Sequence, residues 1–170
     1  MSPIFRNFGT ILLIFFAVGG IQAGPAGLGA FFQSLEYGRP VLGVKIPFSW
    51  IDPSWKEGTI EIAEATIEPG GPGIWKLATQ PDLVLRGVSI TGPKSQIETA
   101  LRSISPKRIY SVKITSFRYS DPKKTEALDL QKVEIKSSGV VVRGALLSLN
   151  QKKLITEIFG NKVEVKNEMN

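Results

Sequence analysis

Lys94 and Ser95 end the stretch Gly87-Val88-Ser89-Ile90-Thr91-Gly92-Pro93-Lys94-Ser95, one residue longer than the phosphate-cradling pattern G-x-x-x-x-G-K-[ST]. That pattern aims successive backbone N–H groups at phosphate oxygens. Pro93 has no N–H, and its insertion moves the lysine and hydroxyl out of register with the glycines. The stretch is therefore not read as a nucleotide site. A simpler use survives: Lys94, Ser95 and the helix start behind them can hold one anion, such as a lipid headgroup phosphate.

The other reactive-looking groupings are weaker still. Ser120 and Lys123 have the spacing of a serine–lysine acylase, but Pro122 between them marks a turn, not the helical turn that chemistry needs. Asp52 and Glu57 lie near Trp50 and Trp55, and a carboxylate pair can hydrolyse glycosides only when it faces across a cleft. The two tryptophans, flanking Pro53, can grip a sugar ring or sit at a membrane interface; the plainer expectation is that they plug one end of a β-rich domain. Glu57, Glu61, Glu64 and Glu68 lack the Asp/Asn/Gly loop that wraps oxygens around calcium. The chain has neither histidine nor cysteine. That removes the commonest general base, thiolate metal sites and disulfides. No catalytic residue, cofactor or metal site is expected.

Charge is unevenly placed. Residues 24–93 carry five Lys/Arg against seven Asp/Glu, whereas residues 94–170 carry fifteen against eight. The basic half suits an anionic surface: lipid headgroups, polyanionic glycans or an acidic partner. Basic and aromatic residues interleave from Lys107 to Tyr119, a pattern used to bind nucleic acid. Here, however, Tyr110, Val112 and Ile114 share a strand face, and Phe117 and Tyr119 take it over after an irregularity at Ser116. The aromatics are core and no nucleic-acid partner is expected.

The elements that must position these residues follow from periodicity. Leu28, Phe31, Phe32 and Leu35 give a short amphipathic helix over Ala26–Tyr37, stopped by Gly38. Alternation predicts strands over Pro40–Ile46, Gly58–Pro69, Ile74–Leu77, Asp82–Ile90, Lys107–Tyr119, Leu128–Lys136 and Gly139–Leu149, and a short one at Val163–Val165. In Gly58–Pro69 the apolar phase changes between Ile62 and Ala65, which calls for a bulge near Ala63; Gly87 allows a kink in the strand it occupies. Two further helices are predicted. One starts at Ser95 as cap, with Glu98 three residues on and Ile97, Leu101 and Ile104 as its stripe. The other is capped by Asn150 and stopped by Gly160. The last strand before it has apolar residues on both faces through Leu149, which suggests a central or doubly covered strand. The sum is an α+β fold, a mainly antiparallel sheet with two or three short helices, and no internal repeat strong enough for a solenoid.

Arg6 and the apolar run Ile11–Ala23 have the form of a signal peptide, with a plausible cleavage site at Ile21-Gln22-Ala23. Apolar character continues to Phe32, so an uncleaved membrane anchor is the rival reading. Residues 1–23 are thus assigned to a leader or signal anchor and 24–170 to one β-rich extracytoplasmic domain. Hydrophobic residues at 42% and charged residues at 21% argue against disorder. Export without cysteine or Asn-x-Ser/Thr sites points to a bacterial envelope, either the periplasm or the periplasmic side of the inner membrane. The expected role is a non-enzymatic envelope protein that docks to a larger assembly or a membrane surface, with anionic lipid as a candidate partner. The alternative is a periplasmic protein that binds lipid or another hydrophobic ligand.

Overall fold

Strand-period alternation covers most of the chain and dominates its architecture. The computed structural model describes residues 25–69, 81–104, 109 and 111–168. The leader, the strand expected at Ile74–Leu77, and Tyr110 lie outside the described residues. The elements are α1 (Pro25–Ser34), β1 (Val41–Pro47), β2 (Thr59–Glu68), β3 (Asp82–Thr91), α2 (Ile97–Ser103), β4 (Ser111–Asp121), β5 (Glu126–Lys136), β6 (Gly139–Ala145), α3 (Leu149–Phe159) and β7 (Val163–Glu168).

All seven strands form one sheet whose spatial order is the chain order. Four joints are antiparallel, while β3–β4 and β6–β7 are parallel. The expected mainly antiparallel sheet is therefore a mixed one. A helix between two neighbouring strands returns the chain to the end it left, so the strands flanking α2 and α3 run the same way. The fold is mixed α and β, mostly sheet, with three short helices.

The helices cover one face. Ile97, Ala100 and Leu101 of α2 and Leu154, Ile155, Ile158 and Phe159 of α3 are buried. The rings of Phe117 and Phe159 meet at 5.9 Å in a tilted contact. Together with Phe48, Ile60, Leu85 and Tyr119 they belong to one continuous core. The opposite face carries exposed polar residues such as Glu61, Arg86, Thr115, Arg118 and Lys132, with Thr66, Asp82 and Ser111 buried at one end of it.

Two helix starts differ from expectation. A 3-10 turn, Lys94–Gln96, precedes α2, and no side chain caps that helix. The cap of α3 is Ser148, not Asn150: its Oγ accepts from the Gln151 N–H at 3.1 Å, and Gln151 Oε1 accepts from the Ser148 N–H at 2.7 Å. This reciprocal pair satisfies two otherwise orphaned donors. Accordingly β6 ends at Ala145, and Leu146 (φ 49°) turns the chain into the helix. β6 is central, paired to β5 and β7, but helices cover only one of its faces, and Leu146 and Leu149 beyond it are exposed.

The sheet is built from a repeated unit that the linear pattern does not announce. β1-β2-β3-α2 is followed by β4-β5-β6-α3, and β7 begins the same order again. The pairings agree position by position. Val44 pairs with Ile62 as Phe117 pairs with Leu130; Glu64 pairs with Arg86 as Lys132 pairs with Arg143; Leu83 pairs with Val112 as Val140 pairs with Val163. Chemistry follows the register at several positions: Ile60-Glu61-Ile62 matches Leu128-Asp129-Leu130, and Arg86-Gly87 matches Arg143-Gly144.

A crease crosses the sheet at one level. In β2 the buried side passes from Ile62 to Ala65, in β3 from Leu85 to Val88, in β4 from Ile114 to Phe117, and in β5 from Leu130 to Val133. Each strand thus turns two consecutive residues outward, and register survives because the neighbours do the same. Gly43 (φ 66°), Gly87 (φ 66°) and Ser116 (φ 64°) take the left-handed conformation on this line. A Cβ on Gly87 would also come within 2.9 Å of the Ala63 methyl carbon. The irregularities expected near Ala63, at Gly87 and at Ser116 are one feature.

Candidate functional site

Beside the crease, one outward residue from each strand falls in line: Leu42, Glu64, Arg86, Thr115, Lys132, Arg143 and Lys166 are successive register partners. In the first unit the row carries a matched pair, with Arg86 Nη1 2.9 Å from Glu64 Oε2. In the second unit Lys132 takes the place of Glu64, so Lys132, Arg143 and Lys166 stand on adjacent strands with like charge. Strands lie about 4.8 Å apart, and like charges directly opposite destabilise a sheet. The charged row on the other side of the crease keeps alternating signs: Lys45 pairs with Glu61 at 3.9 Å, and its equivalent Arg118 pairs with Asp129 at 2.8 Å. Lys166 reaches Glu164 at 3.6 Å. Lys132 has no ion pair among the described residues.

This basic row borders a depression of about 340 Å³ on the open face. The equivalent residues Val84 and Val141 lie in it, with Lys113 and Glu134 between them. Lys113 is tied to Asp82 at 3.0 Å, and Ser111 Oγ donates to the same carboxylate at 2.9 Å. The hydrogen bond to Asp82 holds the Lys113 ammonium above the ordinary lysine range. A second depression of about 230 Å³ adjoins it near Lys136, Lys162 and Glu164. Both are open, with charged side chains in their linings. Chemically, the surface offers closely spaced cations to carboxylates or phosphates, with a shallow seat beside them.

The residues singled out in the sequence lie elsewhere and do not come together. Lys94 is engaged by two carboxylates, Glu157 at 3.1 Å and Glu126 at 3.3 Å, which links the turn before α2 to α3 and β5. The hydrogen bond to Glu157, seconded by Glu126, raises its pKa above the ordinary value. Ser95 lies in the 3-10 turn beside it. Trp50 packs on α1, where a Cβ on Gly27 would meet its ring at 2.6 Å. Trp55 packs on Phe48 with ring centroids 5.7 Å apart. Both tryptophans are half-buried against the core, as a plug for that end of the sheet requires.

Asp52 accepts from the backbone N–H and the hydroxyl of Ser54, which lower its pKa. Glu57 pairs with Lys123 at 2.6 Å. Among the described residues no three His, Cys, Asp or Glu side chains are placed to hold a metal ion, and no helix is long and apolar enough to cross a membrane. Sequence reading missed the row because its members belong to three strands and meet only through register. The excess of Lys and Arg after residue 94 was its one visible trace. Comparison with family models, curated proteins and solved structures finds no match for the chain.

Proposed function

We propose that the chain is an exported, non-enzymatic cell-envelope protein that docks onto a larger envelope assembly, with its open sheet face against an acidic surface of a protein partner. The observation that carries this reading is the run Lys132–Arg143–Lys166. A sheet stabilised only for itself would alternate charge there, as the first unit does with Glu64 and Arg86. An anionic partner would meet Lys132, which has no ion pair among the described residues, with the cations of the neighbouring strands beside it. Export is read from the apolar run Ile11–Ala23 behind Arg6.

Docking is preferred to the binding of a hydrophobic ligand because both depressions are open, charged side chains such as Lys113, Glu134 and Lys162 line them, and apolar side chains fill the helix-covered face. The test is site-specific photo-crosslinking from Thr115 and Gln131, both exposed on the open face, in a cell-envelope fraction. The expected result is a cross-link to an acidic protein that weakens with added salt and is lost in Lys132→Glu. Cross-links indifferent to both changes would sink the proposal. Binding of the purified chain to anionic vesicles through the same residues would move it to a membrane surface.

A further inference from the structure

Among the described residues β7 has no partner on an edge where its equivalents carry one. On the corresponding edge β1 carries β2 and β4 carries β5, each antiparallel. Among the described residues nothing pairs with the outer edge of β7. The lack shows in burial. Val112 and Ile114 of β4 are 3% and 2% exposed beneath Ile135 and Val133, whereas their counterparts Val163 and Val165 are only half-buried. β7 has no proline and no bulge, and the charges it sets along this edge are of opposite sign, Glu164 and Lys166.

The repeat defines the direction and the apolar positions of a fitting strand, and the charges of β7 itself define the rest. The missing strand runs antiparallel, places apolar residues opposite Val163 and Val165 on the helix side, and on the open side sets a cation opposite Glu164 and an anion opposite Lys166. Read backwards, β7 itself supplies both charges and an apolar partner for Val165, and it sets Asn167 opposite Val163. With Val165 opposite Val165 of a second copy, Glu164 of each chain faces Lys166 of the other, twice over. We infer that two copies of this chain pair β7 to β7 about a two-fold axis through Val165, which joins their sheets into one of fourteen strands. A two-fold axis perpendicular to the sheet keeps the helices of both copies on one side and both basic rows on the other. Each row then ends on Glu164 of the second copy.

The opposite edge is a poorer candidate for such pairing. The free side of β1 corresponds to the side of β4 that receives β3 in parallel, after a helical crossover, and an antiparallel partner does not repeat that arrangement. The dimer is independent of the docking proposal: it uses β7 alone, whereas docking is tested at Lys132.

The experiment is sedimentation of the full chain up to about 100 μM, with Glu164→Lys, Lys166→Glu and the double exchange alongside. Each single change sets like charges opposite one another at two positions. It is expected to weaken the dimer roughly tenfold, and the double exchange restores it because the facing pairs are again opposite in sign. Both positions face solvent at an edge, and unchanged circular dichroism confirms that the variants fold. A chain that stays monomeric throughout would overturn the inference. So would a dimer indifferent to the single changes, as expected of association through the apolar leader, or a double exchange that fails to recover.

Discussion

Lys132 stands where the first unit has Glu64, and that exchange makes two opposite predictions for one substitution. Lys132→Glu recreates the Glu64–Arg86 arrangement opposite Arg143, so it is expected to stabilise the fold by about 0.5 kcal/mol while weakening docking. Chemical denaturation and the cross-linking yield read the two effects. A variant that is less stable, or that docks equally well, contradicts the assignment of this row.

Tyr119 is a second informative residue. It is wholly buried, its hydroxyl has no hydrogen-bond partner, and burial above all, with Asp121, Glu126 and Glu157 nearby, pushes its pKa up to about 12. The folded state thus keeps this proton at pH values where the unfolded chain, titrating at about 10, has lost it. Titration of Tyr119 therefore costs the fold nothing below pH 10 and destabilises it progressively as the pH rises to 12. Tyr119→Phe is expected to gain about 1 kcal/mol at neutral pH by removing the unpaired group, and to unfold less readily between pH 10 and 12. Denaturation at pH 7 and pH 11 checks both.

At the scale of the element, the crease sets the demands. Ser116 holds a left-handed conformation that glycine accepts freely, so Ser116→Gly is expected to stabilise by about 1 kcal/mol. Gly87→Val should cost at least about 2 kcal/mol, since it combines the same strain with the approach to Ala63. Urea midpoints distinguish the signs. Nearly every element was legible in the sequence because alternation and the 3.6-residue period are local. Even the phase change at Ile62–Ala65 could be read from one strand. What could not be read is that Gly87 and Ser116 lie on the same line as Ala63, because register is a relation between strands. The caps were less legible. Ser148 and Gln151 have the spacing of a capping box, but unbroken apolar character through Leu149 disguised the end of the strand.

For the whole molecule, the joint between the two units matters most. β3 and β4 pair at nine positions, as many as β2 with β3 or β4 with β5 inside the units. Asp82 adds contacts to Ser111 and Lys113 across the joint. The units are therefore expected to unfold together. In a Trp75→Phe background, fluorescence of Trp50 and Trp55 at one end and far-ultraviolet circular dichroism of the whole sheet should give one coincident transition. Separate midpoints would show two independent units.

The amino-acid sequence determined the apolar run Ile11–Ala23 behind Arg6, the lack of histidine and cysteine, the strand and helix periods and the basic bias after residue 94, since each is a property of composition or of near neighbours. The tertiary structure decided the rest. It placed the strands in chain order with parallel joints at the helices and matched two units whose loops differ too much in length to share a period. It also spent Lys94 on Glu157 and Glu126, and brought Lys132, Arg143 and Lys166 into one row. Those are facts of register and packing, and register is fixed only when residues far apart in the chain bury their apolar faces together.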